Sequence, residues 1–226
     1  MRAHHVTHTV DEPSREILFM NQHLDRHEAK KNLRRTIRRQ RQGLTQPFRS
    51  QAAAGFRSGL DQLCQELPVG PVLAYLPTEQ EPPLRPALEK LQLTRQVWLP
   101  VVQPERQLLW VRWSPQTRFR PTGPGGLMQP VGPALPAPQR PALVLVPAMA
   151  IDDDGVRLGM GGGYYDIFLA DLNGLAEANR DCVPPAAQVA CVFHQEVLPT
   201  GAVPADPWDA RIPMVLTERG VRDLSA

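Results

Sequence analysis

Within Arg157-Leu158-Gly159-Met160-Gly161-Gly162-Gly163-Tyr164-Tyr165-Asp166, a cation, a run of adjacent glycines, two phenols and a carboxylate follow one another in close order. Glycines lack a Cβ, so successive backbone N–H groups can converge on an anion. A helix starting just after them would turn its positive end to the same place. Arg157 adds formal charge at the edge, and Asp166 offers oxygens suited to a hard cation such as magnesium. No Gly-Lys-Ser/Thr follows, so the segment is not a P-loop, and Tyr164 and Asp166 stand where G-x-G-x-x-G would need glycine. The pattern predicts a phosphate cradle outside both of those classes.

A nucleotide site also needs further cations, carboxylates for a metal and an apolar pocket for the second substrate. Lys30, Arg34 and Arg38 recur at helical spacing as one basic stripe, with Lys31, Arg35 and Arg39 as a second beside it. Asp166 with Asp206 or Asp209 could supply the carboxylates. Tyr75, Trp110, Tyr164, Tyr165 and Trp208 could supply the apolar wall.

The elements that must position these groups follow from the hydrophobic pattern. Helices are expected over Glu28 to Gln42, over Phe48 to Leu67, where Ala52, Phe56, Leu60 and Leu63 share a face, and from about Gly162 to Leu172. Val72 to Leu76, Val97 to Val101, Leu108 to Trp113, Gln188 to Phe193 and Pro213 to Thr217 read as strands. The continuous apolar run Ala142 to Val146 suits a central strand covered on both faces. Pro115 to Pro141 is rich in proline and glycine without periodicity and is expected to be a long irregular connection. Strands and helices alternating in this way predict a three-layer α/β/α domain with its ligand beyond the carboxyl ends of the strands.

The chain of 226 residues is long enough for one domain, taken here as residues 29–226 behind a poorly ordered extension over 1–28. A net charge of +2 gives no overall footprint for nucleic acid or an anionic membrane. Cys64, Cys182 and Cys191 share no metal-type spacing and form no even set for a disulfide framework, which fits a reducing cytoplasm. His4, His5 and His8 are too irregularly spaced to read as a metal site.

The order of parts resembles the 5-formyltetrahydrofolate cyclo-ligase family, also called methenyltetrahydrofolate synthetases. The resemblance rests on Lys30-x-x-Leu33-Arg34, Glu81 after a short strand, the lead-in Pro147-x-x-x-Ile151-Asp152-x-x-Gly155-x-Arg157 to the glycine loop, and Trp208-Asp209. It implies a fold like that of the sugar-phosphate isomerase and CoA-transferase group. It also implies an ATP- and magnesium-dependent ring closure of a reduced folate; the chain is expected to be a monomer with neither nucleic acid nor membrane as partner. By that resemblance Lys30, Lys31, Asn32, Leu33 and Arg34 would hold ATP together with Arg157, Leu158, Gly159, Met160, Gly161, Gly162, Gly163, Tyr164 and Tyr165. Lys30, Arg34 and Arg157 would act on the transferring phosphoryl group, and Asp166 and Asp209 would hold magnesium. Leu76 and Glu81 would contact the folate, bordered on its other side by Met160 through Tyr164.

The chain departs from the family pattern at Leu84, where a threonine is usual, at Gln129 for a glutamate, at Ile167 for an arginine, and at Trp208, often histidine. Other readings are an ATP-dependent enzyme with a different acceptor and a non-catalytic protein whose basic helix binds a polyanion.

Overall fold

The computed structural model describes residues 12–178, 185–206 and 208–225, with side chains described from residue 25 onward. His4, His5, His8 and Cys182 lie outside the described residues. The helices are α1 (Glu12–Gln42), α2 (Gln46–Glu66), α3 (Arg85–Leu91) and α4 (Tyr164–Ala178). The strands are β1 (Val72–Leu73), β2 (Val97–Val102), β3 (Leu108–Arg112), β4 (Phe119–Pro121), β5 (Met128–Pro130) and β6 (Leu143–Pro147). They continue with β7 (Ala150–Asp152), β8 (Arg157–Leu158), β9 (Ala187–Cys191), β10 (Val197–Leu198), β11 (Met214–Thr217) and β12 (Gly220–Asp223).

A seven-stranded sheet runs in the order β12-β11-β9-β6-β1-β2-β3. Its inner strands are parallel, and β12 and β3 close the two edges antiparallel. Alternate residues of the inner strands feed different faces, as the pleat requires. Val72, Leu143, Leu145, Val189 and Leu216 pack under α2 and α3. Leu73, Val144, Val146, Ala190 and Val215 pack on the opposite face with Leu169 of α4. This is the expected three-layer arrangement, and β6 is its central strand, with Leu143 through Val146 fully buried.

Two departures from the sequence reading have local causes. The first helix begins at Glu12, not Glu28, and so runs through most of the stretch expected to be a loose extension. Pro13 suits its first turn, and no glycine or proline interrupts it before Gly43. The connection expected to be irregular contains the β4–β5 hairpin, with Phe119 opposite Pro130. Leu33 and Ile37 of α1 pack on a three-stranded sheet, β10-β7-β8, through Met149, Ala150, Val156 and Leu158.

Helix α2 lies close on the β11–β12 turn. A Cβ added at Gly55 would stand 2.0 Å from the backbone oxygen of Glu218. Gly55→Ala is therefore expected to destabilise by about 1–3 kcal/mol through overpacking, despite alanine's better helix propensity. A thermal melt showing equal or greater stability would contradict this packing. Among the described residues, no helix is long and apolar enough to cross a membrane.

Candidate active site

After β1 the chain moves to β2 on one side, whereas β6 flanks β1 on the other. The strand order therefore reverses between β1 and β6, and ligands of open α/β sheets bind outside the carboxyl ends of the strands at such a point. Tyr75 and Leu76 leave β1 there, and Pro147 ends β6. These residues line one apolar cavity of about 270 Å³ with Glu81, Leu99, Phe119 and the whole Gly159–Gly163 loop.

The loop's approach is built by the turn between β7 and β8. Asp152 is fully buried, and its Oδ1 accepts from Val156 N–H at 2.9 Å and its Oδ2 from Gly201 N–H at 3.2 Å. Gly155 has φ +75°, and a Cβ there would lie 2.5 Å from Ile212 O, so the position needs glycine on both counts. This turn delivers Arg157, 7% exposed, to the cavity edge. Its Nη1 donates to Pro147 O at 3.0 Å and its Nη2 to Asp166 Oδ1 at 2.5 Å. Its buried Nε has no partner among the described residues, so one donor of the fork remains available.

Gly161 (φ +105°) and Gly163 (φ +73°) hold left-handed conformations that L side chains rarely adopt. The Arg34 guanidinium sits 3.5 Å from where a Cβ of Gly161 would be, and its Nε donates to Gly159 O at 2.8 Å. Arg106, in the turn between β2 and β3, brings its Nη1 to 3.4 Å from the corresponding point on Gly163. Two guanidiniums thus flank the loop, and α4 begins at once with Tyr164, adding the unpaired N–H groups of a first helical turn.

The remaining charges converge on Arg34. Burial lowers its pKa, Arg38 and Arg157 add to that, and Asp209 and Asp166 oppose it. Lys30 Nζ lies 2.7 Å from Asp206 Oδ2 and 2.6 Å from Asp209 Oδ2, with its side chain 12% exposed. The two carboxylates expected to share a metal are thus each bonded to a different cation, Asp166 to Arg157 and Asp209 to Lys30.

Helical geometry separates the expected nucleotide residues of α1. Lys30 and Arg34, one turn apart, point the same way, Arg34 to the glycine loop and Lys30 to Asp206 and Asp209. Lys31 and Asn32 are exposed, Lys31 near Glu28 at 3.4 Å and Asn32 Oδ1 accepting from Arg35 Nη2 at 2.9 Å. Leu33 packs against the small sheet instead. A contiguous run of side chains on a helix cannot face one ligand. Arg38 borders a second cavity of about 340 Å³, which shares Thr78, Glu81 and Met160 with the first.

A model of the 5-formyltetrahydrofolate cyclo-ligase family matches residues 26–218. The chain belongs to that family. The 5-formyltetrahydrofolate cyclo-ligase of Mycolicibacterium smegmatis is 31% identical over 202 residues, covering 85% of this chain and 96% of its own. The NMR structure of Aquifex aeolicus 5,10-methenyltetrahydrofolate synthetase superposes with a TM-score of 0.68 at 26% identity, over 87% of this chain and 93% of that one. A Mycoplasma pneumoniae 5,10-methenyltetrahydrofolate synthetase shares the fold, with a TM-score of 0.62 at 18% identity over 84% and 98% of the two chains.

Within this family member the departures from the pattern have structural readings. Leu84 is fully buried in the core under α3 and makes no side-chain cap there, so burial replaces a hydroxyl. Gln129 Oε1 accepts from Val102 N–H at 2.6 Å and its Nε2 donates to Thr122 Oγ1 at 3.0 Å, which ties the β4–β5 hairpin to β2. Ile167 and Trp208 are exposed. Sequence reasoning missed Arg106 beside the loop, because nothing in Gln103-Pro104-Glu105-Arg106 signals that this turn folds back onto Gly163. It also gave no role to Arg41, which is buried at 2% exposure and bonded to Glu196 through Nε at 2.7 Å and Nη2 at 2.8 Å.

Proposed function

We infer that the protein closes 5-formyltetrahydrofolate to 5,10-methenyltetrahydrofolate at the expense of ATP, releasing ADP and phosphate. The observation that carries this reading is one apolar cavity with the glycine loop as a wall: a phosphate cradle and a pocket for a flat hydrophobic substrate share the same space.

A formamide oxygen is a poor leaving group. Transfer of the γ-phosphoryl group to it makes the formyl carbon electrophilic, the N10 nitrogen attacks that carbon, and the oxygen departs as phosphate while N10 loses its proton. The protein's part is positioning and charge neutralisation, with no side-chain nucleophile. Arg34 and Arg157, with Arg106 on the far side of the loop, hold phosphate oxygens, and the loop amides and α4 terminus complete the cradle. Lys30 sets the position of Asp206 and Asp209. Leu76 and Glu81 contact the folate opposite Met160 through Tyr164.

Magnesium fits Asp166 in the manner typical of this ion, which binds one or two carboxylates together with substrate phosphates and keeps several waters. The Asp166 side chain is 29% exposed at the loop's exit, and only its Oδ1 is engaged by Arg157. Asp209 would be the second carboxylate, released in part from Lys30. When bound, the ion would offset phosphate charge. The reading is of a monomeric cytoplasmic enzyme with two small-molecule substrates and neither a nucleic-acid nor a membrane partner.

Purified protein given 5-formyltetrahydrofolate, ATP and magnesium should raise the methenyl absorbance, and omission of ATP should abolish the rise. No rise with intact ATP binding would overturn the acceptor and leave the nucleotide half standing. Asp166→Asn should cut kcat by roughly 10- to 100-fold and raise the magnesium concentration needed for half-maximal rate. An unchanged magnesium dependence would remove Asp166 from the metal while sparing the rest. Lys30 and Arg34 are part-buried and bonded to Asp206, Asp209 and Gly159 O, so these two cations are not open to a polyanion.

A further inference from the structure

The cavity holds two polar groups that the fold itself does not satisfy. The hydroxyls of Tyr75 and Tyr165 are both buried, and neither has a hydrogen-bond partner among the described residues. Both residues line the cavity. They reach it from different layers: Tyr75 follows β1, and Tyr165 lies in the first turn of α4. The Tyr165 ring stands edge-on to Phe168, with centroids 6.3 Å apart and planes at 83°, and Phe168 packs on buried Trp110 at 5.1 Å. The phenol is thereby held in place before any ligand arrives.

Burial is the largest influence on both phenols and raises both above their ordinary pKa, with Glu81 acting in the same direction on each. They are therefore O–H donors throughout the working pH range. Glu81 is 7% exposed and uses Oε2 to accept from Thr78 N–H at 2.8 Å and from Thr78 Oγ1 at 2.9 Å. Its Oε1 accepts no hydrogen bond among the described residues. Two donors and an acceptor thus belong to residues that line one apolar space, a pattern suited to a pocket that reads a ligand's polar edge.

Resting on the functional reading above, we propose that the Tyr75 and Tyr165 hydroxyls donate hydrogen bonds to the ring carbonyl and ring-nitrogen acceptors of the folate's fused-ring end, while Glu81 accepts from its N–H groups. This places the Tyr165 side chain on the folate rather than on the nucleotide. A buried hydroxyl without a partner costs free energy in the free protein, and the ligand removes that cost on binding. Recognition through such hydroxyls discriminates strongly against ligands lacking the matching acceptor.

Tyr75→Phe and Tyr165→Phe keep the rings and remove only the hydroxyls. Each should weaken 5-formyltetrahydrofolate binding, measured calorimetrically, by roughly 3- to 30-fold. ATP affinity should stay within about twofold, and the melting temperature of the free protein should hold or rise, because an unsatisfied group has been deleted. A hydroxyl kept only for structure would give the opposite: a lower melting temperature with unchanged folate affinity. That result, a loss of ATP affinity instead, or folate affinity within about twofold of wild type in both variants would overturn the proposal. Wild-type protein that binds ATP and not the folate would overturn the functional reading itself, which is decided before any variant is compared.

Discussion

Arg157→Lys is expected to lower kcat for ring closure by roughly 10²- to 10³-fold, the loss typical of removing one preorganised donor from a transition-state site. The guanidinium is a planar fork of three nitrogens. One nitrogen fixes the end of β6 through Pro147 O, one holds Asp166, and the third is buried without a partner among the described residues. A lysine ammonium keeps the charge but is a point donor on a flexible stem, and it cannot hold all three directions at once. Gly159 sharpens the demand, since a Cβ there would come within 2.7 Å of Arg157 Nη1. The loop and the fork are fitted to each other. The check is steady-state kcat beside a thermal melt; near wild-type kcat in a folded variant would remove Arg157 from the chemistry.

The largest expected effect on stability lies away from the cavity floor. Arg41→Met should destabilise the fold by about 3–5 kcal/mol, because it strands the Glu196 carboxylate, which is fully buried, without its counter-charge. The Arg41 and Glu196 side chains are 2% and 0% exposed, and Arg41 also bonds to the carbonyl oxygens of Ala148 and Met149 at 2.9 and 3.3 Å. This single side chain joins the end of α1 to the β6–β7 connection and to the turn after β9. For a chain of this size the loss corresponds to roughly 6–20 °C in Tm. Adding Glu196→Leu should recover part of it, since a buried pair replaced whole is often neutral while a broken one is costly. A single variant as stable as wild type would contradict the account of α1's anchoring.

How far the sequence carried these conclusions depended on how local each signal was. The run Leu143–Val146 announces a doubly covered strand because its residues alternate between two apolar faces, and both faces proved filled. The glycine loop was legible because Gly161 and Gly163 need positive φ, and a helix start follows within the same few residues. Lys30 and Arg34 were legible as one stripe, since a helix turn sets their spacing. Lys31 and Asn32 came with the family resemblance as part of one contiguous run, and a helix does not keep sequence neighbours on one face.

What the sequence withheld was long-range. Arg106 meets Gly163 only because the β2–β3 turn bends back over the loop, through positive φ at Glu105 and Arg106. The β4–β5 hairpin is pinned by the Gln129 amide to Val102, a contact with no periodic trace. Tyr75 showed as an aromatic beside a strand, but the missing partner of its hydroxyl is visible only once the cavity is closed around it.

The central claim is that the formyl oxygen itself takes the phosphoryl group and leaves as phosphate. 5-Formyltetrahydrofolate carrying ¹⁸O in the formyl group, turned over with ATP and magnesium, tests it directly. The account predicts that the label appears in inorganic phosphate, in step with methenyl formation. Label released as water, with unlabelled phosphate, would contradict it.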